Sequence, residues 1–412
     1  MNKMKKNLIL LCMIVMGLPA FSQVYTGIEV LEQMNFEPLV GKRVGLITNP
    51  TGVDRQLRST IDILAQAPGV KLVALYGPEH GVRGDYPAGE YVDNKQDPRT
   101  GVPMFSLYGV TRKPTPEMLA GVDVLVYDIQ DIGSRSYTYI STLGLAMEAA
   151  AENGIAFMVL DRPNPLGGNK FEGPLVEPEF ISFVSQFPIP YVHGFTVGEL
   201  ARFLNGERML ANGVQADLTV VEMKGWNRNM SFEDTGLPWV MSSPHIPHAH
   251  SAYFYPVSGI LGELYTINIG VGYTLPFQIF GTEWLSDAEV FAERMNKLNI
   301  PGVIFRPIHF RPYYTDMKGK SMRGVQVHLT DLQKAPLSII QFYVLQELFI
   351  MHPEHNVFEK APTRLDMFDK VSGTDQVRKA FGRRFKVEDI MDLWTRDIPG
   401  FVSVAQRYFI YP

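Results

Sequence analysis

The segment "VDVLVYDIQDIGSRSYTYISTLGLAMEAAAENGIAFMVL", residues 122–160, carries the pattern that decides the fold. It begins with an apolar run of strand length and ends with a second one, "IAFMVL". Between them Ile140, Leu143 and Met147 keep helical spacing, and Gly154 follows as a helix stop. A strand, a helix and a strand in this order predict one unit of a parallel sheet.

The same alternation precedes and follows this unit. The runs "KRVGLIT" and "VKLVALY" are near-continuously apolar, which is typical of parallel strands buried on both faces. Helix-like segments, "RSTIDILAQ" and the short "TPEMLAG", follow them. We therefore predict an α/β fold with a doubly wound, mainly parallel sheet over residues 23–285. Helical patterns around the strand-like "GVIFRPIHF" and "MRGVQVHLT" predict a second, smaller α/β domain over 286–412.

The first 22 residues have the order of a secretory signal peptide. "MNKMKK" is cationic, "NLILLCMIVMGLPA" is apolar, and small residues precede a predicted cleavage after Ser22. The apolar stretch is short for a membrane span, so an uncleaved anchor is the less favoured alternative. Cys12 is the only cysteine, which leaves the mature chain without a thiol nucleophile. We expect an exported protein, periplasmic or extracellular, with no membrane span after signal removal.

Charge argues against one class of partner. The formal net charge is -5, and no block of lysine and arginine is present. We therefore expect no nucleic-acid partner. The sequence leaves the oligomeric state open.

Polar, glycine-rich segments follow four of the predicted strands. They are "TNPTGVD" (48–54), "GPEHGVRG" (77–84), "DIQDIGSRSY" (128–137) and "DRPNPLGG" (161–168). Ligands of open parallel sheets bind outside the carboxyl ends of the strands. We expect these segments to meet at one edge of the sheet and to form a binding site there.

Glu79 is the best candidate for an acid in this site. A carboxyl group in a partly apolar cleft at a strand end can act as a general acid. His80 could relay a proton, and Arg83 could hold an anionic group of a substrate. The alternative is a local ion pair between Glu79 and Arg83 that only shapes the turn.

Asp128, Gln130 and Asp131 come directly after an apolar strand. Burying an unpaired charge is costly, so these side chains need partners. Either carboxylate could be a second catalytic group, and Gln130 could bind a sugar hydroxyl. The alternative is structural, with Asp131 capping the following helix. Further candidate substrate ligands at the same edge are Asn49, Arg135, Tyr137, Asp161, Arg162 and Asn164; a purely structural Asp161–Arg162 pair is equally compatible with the sequence.

Other site types have little support. His245, His248 and His250 lie together in "SPHIPHAH" and could bind a transition metal, but Pro247 breaks any helical register. No G-x-S-x-G elbow, Walker loop or G-x-G-x-x-G motif follows a predicted strand. We expect no metal and no cofactor, and a metal-dependent hydrolase remains the alternative.

Seven motifs together resemble the DUF1343 family, which includes the exo-β-N-acetylmuramidases of glycoside hydrolase family 171, known as NamZ. They are "GKRVGLITNPTGVD", "GPEHGVRG", "TGVPMFSLYG", "DVLVYDIQDIGSRSYTYISTL", "VLDRPNPLGG", "HGFTVGELARFLN" and "TGLPWVMSSP", and the resemblance extends from about residue 28 to the C-terminal "QRYFIYP". It implies a Rossmann-like N-terminal domain, a smaller C-terminal domain and an active site between them. The implied activity is release of terminal N-acetylmuramic acid from the non-reducing ends of peptidoglycan fragments.

The resemblance also implies site residues. Glu79 matches the glutamate of the family's PEHG motif, the implied catalytic acid. Residues matching other cleft motifs are His80, Arg83, Asp128, Gln130, Asp131, Arg135 and Tyr137. The second carboxylate of a glycosidase could be Asp128, Asp131 or Glu263, and an acetamido sugar also permits substrate-assisted catalysis. The lactyl carboxylate of N-acetylmuramic acid calls for an arginine, and Arg83, Arg135 and Arg162 are candidates.

The chain departs from the family pattern in two places. It has "SPHIPH" where the family reads like "SPNMPT", and "ELYTINIGVGYTLPF" where the family reads like "EGTNLSEGRGTTxPF". Val271 stands where the second pattern has an arginine. This leaves two alternatives open: a glycosidase of altered amino-sugar specificity, or a glycan-binding protein that does not cleave.

Overall fold

The computed structural model describes residues 23–79, 81–84 and 95–412. The predicted signal peptide at 1–22, with Cys12, lies outside the described residues, and so does His80. Within the described ranges, no helix has the length and apolar content needed to cross a membrane.

The first sheet lies at the centre of the larger part of the molecule. Its strands are β1 (Arg43–Thr48), β2 (Lys71–Gly77), β3 (Lys95–Gln96), β4 (Pro103–Ser106), β5 (Val124–Asp128), β6 (Ala156–Leu160) and β7 (Leu218–Val221). Their spatial order is β3-β4-β2-β1-β5-β6-β7, and all neighbours are parallel except β3 and β4. The chain builds outward from β1 on one side and returns to β5 on the other. The strand order therefore reverses between β1 and β5, where doubly wound sheets bind ligands.

Alternation along the strands buries both faces of this sheet. In β1, Leu46 packs with helices on one face, whereas Ile47 packs with helices on the other. The helices are α1 (Gly27–Gln33), α2 (Thr60–Gln66), α3 (Tyr139–Glu152), α4 (Val197–Gly206), α5 (Ala249–Gly262), α6 (Ala288–Lys297), α7 (Ile340–Met351), α8 (Val357–Lys360), α9 (Leu365–Ser372), α10 (Gln376–Arg384), α11 (Met391–Thr395) and α12 (Ile398–Ala405). Helices α1 and α2 cover the Leu46 face, and α3, α4 and α12 cover the Ile47 face. The predicted α/β fold with a doubly wound, mainly parallel sheet is confirmed.

The second, smaller domain contains an antiparallel sheet. Its strands are β8 (Ile279–Thr282), β9 (Val303–Phe310) and β10 (Met322–Leu329), with β10 in the centre. Their apolar side chains share one core with those of α5–α7 and α9–α10. The boundary at residue 285 stays a prediction; β8 precedes it in the chain, and α12, near the C-terminus, packs on the first sheet.

The sequence predicted most of these elements but not all. The short helix over "TPEMLAG" is wrong, because this segment forms turns. Pro114 and Pro116 bring no backbone N–H, and Gly121 ends the segment, so too few residues remain to nucleate a helix. Helix α5 was not predicted, since it contains Pro256 and is apolar almost all round.

Candidate active site

A cavity of about 610 Å³ lies between the carboxyl edge of the first sheet and the smaller domain, and we call it the central cavity. Its lining residues are Glu79, Tyr108, Arg112, Ser136, Tyr137, Thr138, Tyr139, Ser182, Phe183, Val184, Ser243, Pro244, His245, Ile246, Tyr255, Glu263, Phe277, Met367 and Lys370. Segments that follow β2, β4 and β5 form one side, and α5 and α9 contribute to the other. The cavity therefore occupies the position at which the sequence predicts a binding site.

Glu79 reaches this cavity because the chain turns sharply after β2. The strand ends at Gly77, and the backbone N–H of Gly81 donates to the carbonyl of Pro78 at 3.0 Å. A side chain at Gly77 would meet the backbone nitrogen of Val82 at 2.9 Å, so only glycine fits this close approach. Glu79 is thereby placed half-buried in the cavity wall.

Tyr108 lies beside Glu79 in the cavity wall. Burial, together with the nearby carboxylate, raises the pKa of Tyr108 to about 12. The tyrosine hydroxyl therefore stays protonated at neutral pH.

Glu263 lies across the cavity, directly after α5. Arg364 donates to it twice: Nη2 to the carboxylate and Nε to the backbone carbonyl, both at 2.8 Å. Burial raises the pKa of Glu263 above its ordinary value, and the Arg364 guanidinium acts in the opposite direction. Among the residues that line the central cavity, Glu79 and Glu263 are the two that carry carboxylates. The site thus has one carboxylate from each side.

A second cavity of about 490 Å³, the side cavity, adjoins the first. The two share Tyr255, Glu263 and Phe277. Val271 lines the side cavity, and so does Tyr265, whose ring lies 4.2 Å from the guanidinium of Arg364. The guanidinium of Arg364 therefore lies beside Glu263, although Val271 stands where the family pattern has an arginine.

Asp128 does not line the central cavity. It is fully buried, and Arg162 binds its two oxygens at 2.5 and 2.9 Å. Thr60 donates a further hydrogen bond at 2.5 Å. Asp128 and Arg162 therefore hold β5, β6 and α2 together, and the central cavity is lined by neither of them.

Asp131 and Gln130 are also buried at this edge. One oxygen of Asp131 accepts from the backbone of Gly133 at 2.7 Å and contacts His193 Nε2 at 3.2 Å. Its other oxygen, Oδ1, has no hydrogen-bond partner among the described residues. The Gln130 amide donates to the carbonyls of Asp131 and Pro163, so it supports loops and does not face the central cavity.

Arg135 is fully buried and binds backbone. It donates to the carbonyls of Pro174, Ile189 and Val371 at 2.6–3.0 Å. Burial lowers its pKa to about 9. Arg135 therefore links the part of the molecule that contains the first sheet to the smaller domain.

Of the remaining predicted ligands, one lines the central cavity and the others are held in contacts within the protein. Tyr137 lines the central cavity, and its hydroxyl donates to Ser242 at 2.8 Å. Arg83 forms a bidentate pair with Asp97 at 2.8 and 3.0 Å and does not pair with Glu79 in the described structure. Structural hydrogen bonds occupy Asp161, Asn164 and the side-chain oxygen of Asn49. The buried Nδ2 of Asn49 has no hydrogen-bond partner among the described residues. The placement thus brings Glu79, Tyr137 and Glu263 together, while the catalytic and binding roles themselves stay predictions.

The loop histidines do not form a metal cluster. His245 lines the central cavity and contacts the Tyr314 hydroxyl at 2.9 Å, whereas His250 packs against Phe254. No group of three His, Cys, Asp or Glu side chains among the described residues is placed to hold a metal ion.

Sequence reasoning missed several cavity residues, above all Tyr108 and Arg112. Both follow β4, a four-residue strand that the sequence did not predict. The useful pattern was "VPMFSLYG", a short apolar run followed by polar residues, which resembles the other strand ends. Tyr255 was missed because it lies in the unpredicted α5.

Comparison with known proteins assigns the chain to a family. The chain matches the family model "Exo-beta-N-acetylmuramidase NamZ, N-terminal" over residues 44–250 and the corresponding C-terminal model over 253–411. It is 46% identical over 389 residues to the peptidoglycan beta-N-acetylmuramidase NamZ of Bacillus subtilis (strain 168), covering 94% of this chain and 92% of that protein.

Two solved structures from Bacteroides fragilis NCTC 9343, both DUF1343 family proteins, are similar. The first has a TM-score of 0.91 and 58% identity, covering 96% of this chain and all of that one. The second has a TM-score of 0.75 and 30% identity, covering 95% and 99% of the two chains. The chain therefore belongs to the NamZ family of exo-β-N-acetylmuramidases.

Proposed function

We propose that this protein is a glycosidase that releases terminal N-acetylmuramic acid from peptidoglycan fragments, with its active site in the central cavity. The observation that carries this proposal is the pair of carboxylates, Glu79 and Glu263, on opposite sides of one cavity. Glycosidases use two carboxyl groups that flank the scissile bond. The similar NamZ protein of Bacillus subtilis, a peptidoglycan beta-N-acetylmuramidase, supports the choice of substrate.

Glu79 is the proton donor in this proposal. Cleavage of the glycosidic bond leaves negative charge on the departing oxygen, and an acid in contact with that oxygen removes the charge by protonating it. Tyr108, beside Glu79, presents a protonated hydroxyl near this carboxyl group. His80 follows Glu79 in the chain, and its role as a relay remains a prediction.

Glu263 is the second carboxylate. It faces the central cavity, whereas Asp128 and Asp131 are held in buried contacts and do not line the cavity. An ionised carboxylate at this position can stabilise positive charge at the anomeric carbon, activate water, or orient the substrate's own acetamido group. Arg364 keeps Glu263 in place and favours its ionised form.

The decisive experiment compares leaving groups. On 4-nitrophenyl N-acetyl-β-muraminide, Glu79→Gln should lower kcat by about 10²- to 10⁴-fold, the usual contribution of a general acid. On the 2,4-dinitrophenyl glycoside the loss should be much smaller, because that leaving group departs without a proton. Glu222→Gln, a change on the exposed surface, is the control. Equal losses on both substrates would remove Glu79 from the role of acid.

A glycan-binding protein that does not cleave is the second candidate. It is favoured by Val271, which lines the side cavity where the family pattern has an arginine. If the wild type and Glu79→Gln release the same negligible amount of nitrophenol while both bind N-acetylmuramic acid, this second function replaces the first.

We also propose that the chain is exported and that residues 1–22 are removed. The cationic, apolar and small-residue order of the N-terminus supports this. Mass spectrometry of the protein recovered from a secreting bacterial host should find Gln23 at the N-terminus. A chain that keeps residues 1–22 and stays with the cytosol would contradict export.

A further inference from the structure

The proposed substrate carries one group that its commoner relative, N-acetylglucosamine, lacks: the carboxylate of the lactyl ether. A site that selects this group needs a cation that is not already neutralised by the protein. The assignment of that cation rests on the proposed function, because it is the muramic acid substrate that brings the carboxylate.

The three arginines predicted from the sequence are all engaged elsewhere. Arg83 is bound to Asp97, and Arg162 is bound to Asp128. Arg135 is buried among backbone carbonyls. None of the three lines the central cavity.

Two other cations do line it, Arg112 and Lys370. Lys370 is paired with Asp366, one turn away on α9, at 2.7 Å. Arg112 is exposed, and no carboxylate pairs with it within the described parts of the chain. Its guanidinium carbon instead lies 4.3 Å from the centre of the Phe183 ring.

Arg112 is held in this position from both sides. Ser141 on α3 donates to the backbone carbonyl of Phe183 at 2.7 Å, which anchors the backbone that carries the ring. The next residue, Lys113, pairs with Glu152 on the same helix at 2.7 Å. A stacked guanidinium keeps its N–H groups in its own plane, where they can bind both oxygens of a carboxylate.

We propose that Arg112, stacked on Phe183, forms an anion subsite that binds the lactyl carboxylate and so selects N-acetylmuramic acid over neutral amino sugars. The subsite lies in the same cavity as Glu79, so the carboxylate and the scissile bond can be engaged together. The charge contributes binding energy to both the ground state and the transition state. Its loss should therefore appear mainly in KM.

The test removes the charge once from the enzyme and once from the substrate. The substrates are 4-nitrophenyl N-acetyl-β-muraminide and its lactyl methyl ester, and the variants are Arg112→Gln, Arg112→Lys and the control Arg202→Gln, which changes an exposed arginine on α4. Wild type should prefer the acid to the ester by about 10- to 100-fold in kcat/KM. Arg112→Gln should lower kcat/KM for the acid to the level of the ester and leave the ester unchanged. Arg112→Lys should keep part of the preference, and Arg202→Gln all of it.

The outcomes separate this subsite from the proposed function. If the wild type cleaves the acid but Arg112→Gln leaves the preference for acid over ester intact, the subsite is wrong and the glycosidase stands. If the wild type cleaves neither substrate, the glycosidase fails. Calorimetry with N-acetylmuramic acid and its methyl ester then decides the subsite alone: a preference for the acid that vanishes in Arg112→Gln supports it, and equal preferences overturn it.

Discussion

The carboxylates near the carboxyl edge of the first sheet divide into two sets. Asp128, Asp131 and Asp161 lie within three residues of the end of β5 or β6, are buried, and are bound by protein groups. Glu79 lies two residues beyond β2, Glu263 directly follows α5, and both face the central cavity. The residues closest to the strands thus hold the edge together, and the residues beyond that layer face the central cavity. Substitutions that affect the first set should therefore change stability, and substitutions that affect the second set should change activity.

The largest effect on stability should come from Asp128→Ala. This change leaves the buried Arg162 without its carboxylate, and we expect unfolding free energy to fall by about 3–5 kcal/mol in urea denaturation. Asp123→Ala is the matched control, because Asp123 pairs with Arg43 near the exposed start of β5, the strand that ends at Asp128. The control should cost far less. If the unfolding free energy falls by a similar amount in both variants, the buried Asp128–Arg162 pair stabilises the fold no more than the exposed pair does. Asp128 would then again be a catalytic candidate.

Sequence patterns located this edge correctly but could not divide its residues. Each polar segment follows an apolar strand, and this was enough to place Glu79 and Asp128 at the same edge. Whether one of these residues is buried in a structural contact depends on its partners, and the partners are distant in sequence. Arg162 is 34 residues from Asp128, and Tyr411 is 250 residues from Asp161. No local pattern contains that information.

The second prediction concerns Asp161 and pH. Burial raises the pKa of Asp161 to about 7, although Tyr411, Gly198 and Thr196 donate hydrogen bonds to it. The folded state therefore holds a proton that the unfolded chain releases near pH 3.8, so stability should fall as pH rises from about 4 to 7 and stay lower above it. Between pH 4 and pH 7, this group should lower the unfolding free energy by up to about 4 kcal/mol.

Asp161→Asn should remove this part of the pH dependence. We expect the gap between unfolding free energies at pH 5 and pH 8 to narrow relative to wild type, while Glu222→Gln on the surface leaves it unchanged. Parallel pH profiles for wild type and Asp161→Asn would mean that Asp161 is ionised in the folded protein, with its hydrogen bonds outweighing burial.

The cavity residues illustrate a different limit of sequence reasoning. Glu263 was named only because a family motif contains it, and Arg112 was not named at all. Arg112 lies in an exposed loop after a short strand, and nothing in "GVTRKPTP" distinguishes a ligand-binding arginine from a solvated one. Its stacking on Phe183, 71 residues later, is what makes it distinctive. Folding brings these two residues together, and the sequence pattern is silent about it.

The smallest of the three effects should be that of Arg364→Gln, which acts on Glu263 from outside the central cavity. Without the guanidinium, burial acts alone on Glu263 and its pKa should rise further. Because Glu263 is proposed to work ionised, the acid limb of kcat/KM should move to higher pH. Activity at pH 8 should change little, and activity at pH 5 should fall. Arg364→Lys keeps the positive charge, so its acid limb should lie close to that of the wild type. An acid limb that stays in place in Arg364→Gln would show that another group titrates there, and Glu263 would then join Asp128 among the carboxylates whose contribution is structural.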